Sequence, residues 1–209
     1  PTTIKRPIVR NNLFKDNPYG DGIYSRYCEQ FAFYNNLFIR SDGPFNIDIH
    51  TGFHYPTGLP EDTCNSRGGF AAYNTIIVNG QCNILFNKGS NQTKFENNIF
   101  YSTMASPDMV FRFDGDWNAN KRHDFDYNLY YSTAENFGGS STVRGTWGSS
   151  NTSVWWSSWT AVTGQEAHSI VNTVPTFANM SGDDYSPSNS TSPQVGKGTP
   201  ITTANGYWM

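Results

Sequence analysis

Four ionisable residues lie inside short stretches that are otherwise apolar and β-prone. They are Asp48 and His50 in Asn46-Ile47-Asp48-Ile49-His50, and Arg112 and Asp114 in Val110-Phe111-Arg112-Phe113-Asp114. The alternation predicts that each pair shares one side of a strand, away from the intervening Ile and Phe. An imidazole base with a guanidinium nearby suits proton abstraction beside a carboxylate, where the cation neutralises negative charge. Two carboxyls such as Asp48 and Asp114 suit attack by an activated water if they stand roughly 6.5–9.5 Å apart. Strands with one wet face also carry Asp, His and Arg without chemistry, so the relative placement of these residues decides what they can do.

That placement follows from a repeat. Asparagine makes up 23 of 209 residues, many of them in pairs followed by two apolar residues. Asn11-Asn12-Leu13-Phe14, Asn35-Asn36-Leu37-Phe38, Asn74-Thr75-Ile76-Ile77, Asn97-Asn98-Ile99-Phe100 and Tyr127-Asn128-Leu129-Tyr130 superpose without gaps. With Asn12, Asn36, Thr75, Asn98 and Asn128 taken as equivalent, the spacings are 24, 39, 23 and 30 residues. One short strand precedes each pair, as in Phe31-Ala32-Phe33-Tyr34 and Thr93-Lys94-Phe95-Glu96, and another lies further upstream, as in Asn83-Ile84-Leu85-Phe86-Asn87.

Three short strands in so few residues leave no room for crossover helices, and a long 3.6-residue period is absent, so each unit reads as one coil of a parallel β-solenoid. Asparagine suits the bend because it tolerates positive φ and its amide both donates and accepts, which lets equivalent residues bond between coils. Inward columns are expected at Phe33, Ala72, Phe95 and Phe125, and at Leu13, Leu37, Ile76, Ile99 and Leu129.

Over about residues 8–132 this pattern resembles the right-handed parallel β-helix proteins of the pectate-lyase-like superfamily. The resemblance implies an all-β, right-handed parallel β-helix, here of about five coils over residues 1–132. Residues 133–209 lose the repeat and become Ser/Thr/Gly-rich, with Trp147, Trp155, Trp156 and Trp159 close together. The order Gln165, His168-Ser169-Ile170-Val171, Pro175-Thr176-Phe177, Asp184-Tyr185 and Gly196-Lys197-Gly198 resembles the tail that follows the last coil in many secreted bacterial β-helix proteins. It is therefore expected to cap the solenoid within the same domain, with the Trp cluster as apolar cover or, if exposed, a sugar-stacking platform.

In that family a ligand lies along outward side chains of one face, walled by insertion loops. The aligned first-face strands give the columns Tyr24, Asp48, Leu85, Arg112 and Arg26, His50, Asn87, Asp114. At about 4.8 Å per coil, Asp48 and Arg112 should stand roughly 10 Å apart, as should His50 and Asp114. Such a groove fits one or two sugar rings, so a polysaccharide is the expected partner. A lyase on a uronic acid would use His50 or Arg67 as base, with Arg112 or a cation on the carboxylate, and an inverting hydrolase would use Asp48 and Asp114. The insertion from Thr51 to Gly69 leaves directly after His50 and supplies His54, Tyr55 and Arg67; the one from Gly115 to Arg122 supplies Trp117. Asp114-Gly115-Asp116 and Glu61-Asp62 offer oxygen ligands to Ca²⁺, although neither completes a calcium loop, and no Cys/His spacing points to zinc. Cys28 and Cys64 fall in equivalent turns of adjacent coils and are candidates for a disulfide, which leaves Cys82 over.

Composition narrows the remaining classes. Net charge is −3 with no Lys/Arg cluster, which argues against nucleic acid, and no apolar run is long enough for a membrane helix. The chain starts at Pro1 without a leader and enters the repeat mid-coil, which is expected of a processed, secreted protein or a fragment of a longer one. Asn91, Asn151, Asn179 and Asn189 begin Asn-x-Ser/Thr triplets that glycosylation would use in a eukaryotic secretory pathway. An uncovered coil end would also let identical chains stack head to tail, so the alternative expectation is a non-catalytic, adhesive or filament-forming extracellular protein.

Overall fold

The computed structural model describes residues 4–16, 22–26, 28–41, 47–50, 69–78, 82–87, 93–102, 109–114, 124–133, 142–147, 150–155, 160–161 and 164–200. In chain order the first strands are β1 (Ile4–Lys5), β2 (Ile8–Arg10), β3 (Leu13–Lys15), β4 (Ile23–Arg26), β5 (Cys28–Glu29), β6 (Ala32–Tyr34), β7 (Leu37–Ser41) and β8 (Ile47–His50). They are followed by β9 (Phe70–Ala72), β10 (Thr75–Val78), β11 (Cys82–Asn87), β12 (Lys94–Glu96), β13 (Ile99–Ser102), β14 (Met109–Asp114), β15 (Asp124–Asp126) and β16 (Leu129–Ser132). The last are β17 (Thr142–Trp147), β18 (Ser150–Trp155), β19 (Ile170–Val171), β20 (Phe177–Asn179) and β21 (Asp184–Pro187).

The chain visits three sheets in rotation. One holds β2, β6, β9, β12 and β15; the next holds β3, β7, β10, β13, β16 and β19; the third holds β4, β8, β11, β14 and β17, with β18 added at its edge. Every pairing within these sheets is parallel except β17 with β18. The described chain is thus nearly all β, built of stacked parallel strands as a β-solenoid requires.

Each passage from the first sheet to the second divides the bend between two residues. The first of them, Asn11, Asn35, Tyr73, Asn97 or Tyr127, holds φ between 53° and 61°. The second, Asn12, Asn36, Asn74, Asn98 or Asn128, turns its side chain inward, and from Asn36 onward these are buried. Their amides form a ladder: Asn12 Nδ2 donates to Asn36 Oδ1 at 3.1 Å, Asn36 to Asn74 at 3.1 Å, Asn74 to Asn98 at 3.0 Å, and Asn98 to Asn128 at 3.1 Å. The second Nδ2 proton goes to a backbone carbonyl, which is Val9 for Asn36, Phe33 for Asn74, Ala71 for Asn98 and Phe95 for Asn128. Each Oδ1 from Asn36 to Asn128 also accepts the backbone N–H of the rung before it. The side chains of these rungs therefore bring two donated protons and two accepted bonds, so burying them leaves no polar atom unmet.

The ladder corrects the sequence alignment in the third unit. Its rung is Asn74 and not Thr75, so the spacings are 24, 38, 24 and 30 residues. Matching apolar residues alone slid this unit by one, because Tyr73 stands at its bend where other units carry Asn. The first inward column is accordingly Phe33, Ala71, Phe95 and Phe125, with Ala71 in place of Ala72. The expected column Leu13, Leu37, Ile76, Ile99, Leu129 is also displaced. Leu13, Leu37, Thr75, Ile99 and Leu129 pair in register but start largely outward, Leu13 being 57% exposed. Because the rung before them points in, strand alternation turns the next residue out and the one after it in. The interior column is therefore Phe14, Phe38, Ile76, Phe100 and Tyr130. Phe14 stacks on Phe38 at 4.7 Å, and Phe100 on Tyr130 at 4.8 Å. Burying each such ring contributes roughly 1.5–3 kcal/mol.

A central rung should matter more than a terminal one. Asn98→Ala leaves its neighbours' buried donors and acceptors unmet, and is expected to cost about 3 kcal/mol or more in urea unfolding, against about 1 kcal/mol for Asn12→Ala at the exposed end.

Candidate functional site

The third sheet carries the four residues singled out by sequence. Asp48 and His50 lie in β8, and Arg112 and Asp114 in β14. The register pairs Tyr24 with Asp48, Asp48 with Leu85, and Leu85 with Arg112, so Asp48 and Arg112 share one column two strands apart, roughly 10 Å. One alternation further along, Arg26 pairs with His50 and Asn87 with Asp114. Arg112 is next followed by Arg144 of β17, which extends the first column by a second arginine. His54, Tyr55, Arg67, Trp117, Cys64, Asn91 and, of the residues considered for Ca²⁺, Glu61, Asp62, Gly115 and Asp116 lie outside the described residues. Cys28 is buried in β5; Asn151 falls in β18, while Asn179 and Asn189 are exposed. Among the described residues no three His, Cys, Asp or Glu side chains gather as a metal ion would need.

A charged row on the outer side of the first sheet was not singled out by sequence. Lys94 Nζ lies 3.2 Å from both Glu96 and Asp124, and Glu96 pairs in register with Asp126. Burial raises the Glu96 carboxyl, opposed by Lys94 and reinforced by Asp124 and Asp126. Burial works to lower Lys94, but Glu96 and Asp124 outweigh it and hold the ammonium above its ordinary value. Asp126 Oδ2 meets His168 Nδ1 at 2.7 Å, and its Oδ1 accepts the His168 backbone N–H at 2.7 Å. These groups hold one another, so the row reads as a fastening between coils and the segment that carries His168.

That segment, residues 164–200, runs back along the outside of the second sheet. Asp183 forms an ion pair with Lys15 of β3, and Phe177 meets Tyr101 of β13 edge-on at 5.8 Å. Thr199 is held at the bends: Tyr73 OH and Asn97 Nδ2 donate to its carbonyl at 2.9 and 2.8 Å, and its N–H donates to Asn97 Oδ1 at 2.7 Å. Tyr127 stacks on His168 at 4.8 Å and 8°. A tyrosine at positive φ is strained relative to Asn. Tyr73 and Tyr127, the two departures from Asn at the bend, are the two whose rings or hydroxyls grip this segment. Between it and the sheet lies a cleft of about 300 Å³ bordered by Tyr73, Tyr127, Ile99, Gln194 and Lys197. A second, more open cleft lined by Asn35, Leu37, Tyr73 and Tyr185 lies on the same face toward β7.

Comparison with protein-family models, with curated proteins and with solved structures found no match to this chain.

Gly198 lets the segment approach. A Cβ there would stand 2.7 Å from Asn97 Oδ1, so Gly198→Ala should disrupt the Thr199–Asn97 pair. The Thr199 amide is expected to exchange about tenfold faster or more, as loss of about two hydrogen bonds implies, while the melting temperature of the whole protein moves little.

Proposed function

We propose that this chain is a secreted, right-handed parallel β-helix of about five coils, capped by residues 133–209, that binds a polysaccharide along the outer face of β4, β8, β11 and β14. The observation that supports it is the register of that sheet, which aligns Asp48 with Arg112 and Asn87 with Asp114 along the direction an extended polymer would take. Columns in which hydrogen-bonding and charged groups recur, interrupted in the first only by Leu85, suit a ligand that itself repeats, and the resemblance of the repeat to the pectate-lyase-like superfamily points the same way. Arginine in the column favours an acidic sugar, whose carboxylate it can hold in a bidentate pair.

Cleavage at this face has two chemical routes. In one, His50 or Arg67 takes the C5 proton of a uronate, the bond to the leaving oxygen breaks, and the product carries a new C4–C5 double bond. In the other, one of Asp48 and Asp114 activates water while its partner protonates the leaving oxygen. The ultraviolet absorbance of an unsaturated product separates the first route from the second, which yields only reducing ends.

A non-catalytic structural or adhesive protein whose copies stack is the second reading. It is favoured by the exposure of Ile8 (60%) and Leu13 (57%) on the first coil, an apolar surface suited to protein contact. Electron microscopy of the purified protein separates the two readings, since filaments at neutral pH favour this one. For the first, titration against acidic and neutral polysaccharides is the test. Asp48→Ala and Arg112→Ala should each weaken binding about ten- to hundredfold, as loss of a charged hydrogen bond implies. Unchanged binding and turnover in Asp48→Ala, Arg112→Ala and His50→Ala would remove the site from this face.

A further inference from the structure

Gly196-Lys197-Gly198 is a stretch of the C-terminal segment that the third-sheet site does not use. Gly196 holds φ 67°, where a side chain would be strained, and Gly198 has no room for a Cβ beside Asn97. Two glycines, each required for its own reason, thus flank one lysine and bring it to the border of the cleft over the second sheet. Ile99, Leu129, Ile170 and Pro187 give that cleft apolar walls, and Tyr73 and Tyr127 stand at its bends. Tyr73 is tied to Thr199 through its hydroxyl yet remains 40% exposed, so its ring is a fixed wall.

The side-chain amides that border the cleft are already spent within the protein. Asn74, Asn98 and Asn128 are engaged in the ladder, Asn97 holds Thr199, and Gln194 donates to the Thr176 carbonyl at 2.7 Å. Lys197 differs from them. It is the one charged residue among the described residues at the border, it makes no side-chain hydrogen bond or ion pair among them, and no carboxylate lies beside it there. The adjoining cleft, which shares Tyr73 and Thr75, carries Asp183 and Asp184, of which only Asp183 meets a cation, Lys15, among the described residues. Negative charge thus lies toward one end of the combined trough and an unpaired cation toward the other.

We propose that this cleft binds a small carboxylic acid built on an apolar ring, with its carboxylate on the Lys197 ammonium and its ring against Ile99, Leu129 and Tyr73. A volume of about 300 Å³ stands at the small end of ligand sites and suits one ring with a short substituent. The apolar walls favour a ring without hydroxyl groups. A sugar's hydroxyls would lose water there and meet amides whose bonds are already made. The ammonium supplies a charge-assisted hydrogen bond, and Asp184 disfavours the opposite orientation by repulsion. The site lies on a different sheet from Asp48 and Arg112, so it stands apart from the polysaccharide reading.

Titration of the intact protein with benzoate, benzamide and glucuronate, followed through backbone amide shifts by nitrogen-15 NMR, tests this. Benzoate should bind with a Kd on the order of 1 mM or below and move the amides of Ile99, Leu129, Ile170 and Gly198, while those of Leu85 and Arg112 hold. Benzamide keeps the ring without the charge, and glucuronate keeps the charge on a hydroxylated ring; each should bind about tenfold more weakly. Lys197→Gln, a change at an exposed residue, should weaken benzoate about tenfold and leave benzamide where it was. Benzamide that binds as tightly as benzoate, or benzoate binding unaltered in Lys197→Gln, would overturn the site. So would the absence of any saturable shift at these four amides up to about 10 mM benzoate. Glucuronate that outbinds benzoate would overturn the apolar ring in favour of a sugar acid.

Discussion

The asparagine ladder is the constraint on which the rest of this chain depends. A carboxamide is the shortest side chain that donates two protons and accepts two bonds, so identical residues can satisfy one another at each step of a stack. Here each central rung takes the backbone N–H and the Nδ2 of the rung before, and spends its own protons on the next rung and on a carbonyl. The coils are thereby held in one register, and that register decides which residue faces in. Once Asn74 is fixed, Thr75 must face out and Ile76 in, and the stacked rings above and below follow.

A ladder of this kind has a direction, and its two ends pose different problems. Asn12, the first rung among the described residues, is exposed. At the far end, Asn128 presents donors inside the protein, and a buried donor without an acceptor costs about 1–3 kcal/mol. Glu166 supplies the acceptor and Ser169 stands where the next Oδ1 would be. This solution introduces an ionisable group into a ladder of neutral ones, where three donors meet its carboxyl. It also bears on stacking between copies, because a head-to-tail contact at this end would meet a turn in place of an open rung.

Much of the architecture was legible in the sequence because repetition reports it: paired asparagines, alternating strands, and columns such as Phe95 and Phe125. The one-residue slip at Tyr73-Asn74 shows where that reading weakens. Apolar matching cannot distinguish Thr75-Ile76-Ile77 from Asn74-Thr75-Ile76, whereas the hydrogen bonds of Asn74 can. The division of the bend into a positive-φ residue and a buried rung was not legible either, since both are usually Asn. Glu166 escaped notice because it lies outside the repeat, and no local pattern marks a residue that substitutes for an absent coil. The Lys94, Glu96, Asp124 and Asp126 row was within reach, since alignment of Phe95 with Phe125 already places the four side by side. For the first face, sequence supplied the columns containing Asp48 and Arg112, and strand register places them together. The loops that would wall such a groove belong to insertions that no repeat constrains.

The most direct measurement is the exchange rate of the ladder's own side-chain amide protons, read by nitrogen-15 NMR. If the ladder organises the fold, the Nδ2 protons of Asn74 and Asn98 exchange only with global unfolding, as slowly as the most protected backbone amides of β10 and β13, and those of Asn12 exchange far faster. Asn74 and Asn98 amides that exchange like exposed asparagines while the strands stay protected would contradict it.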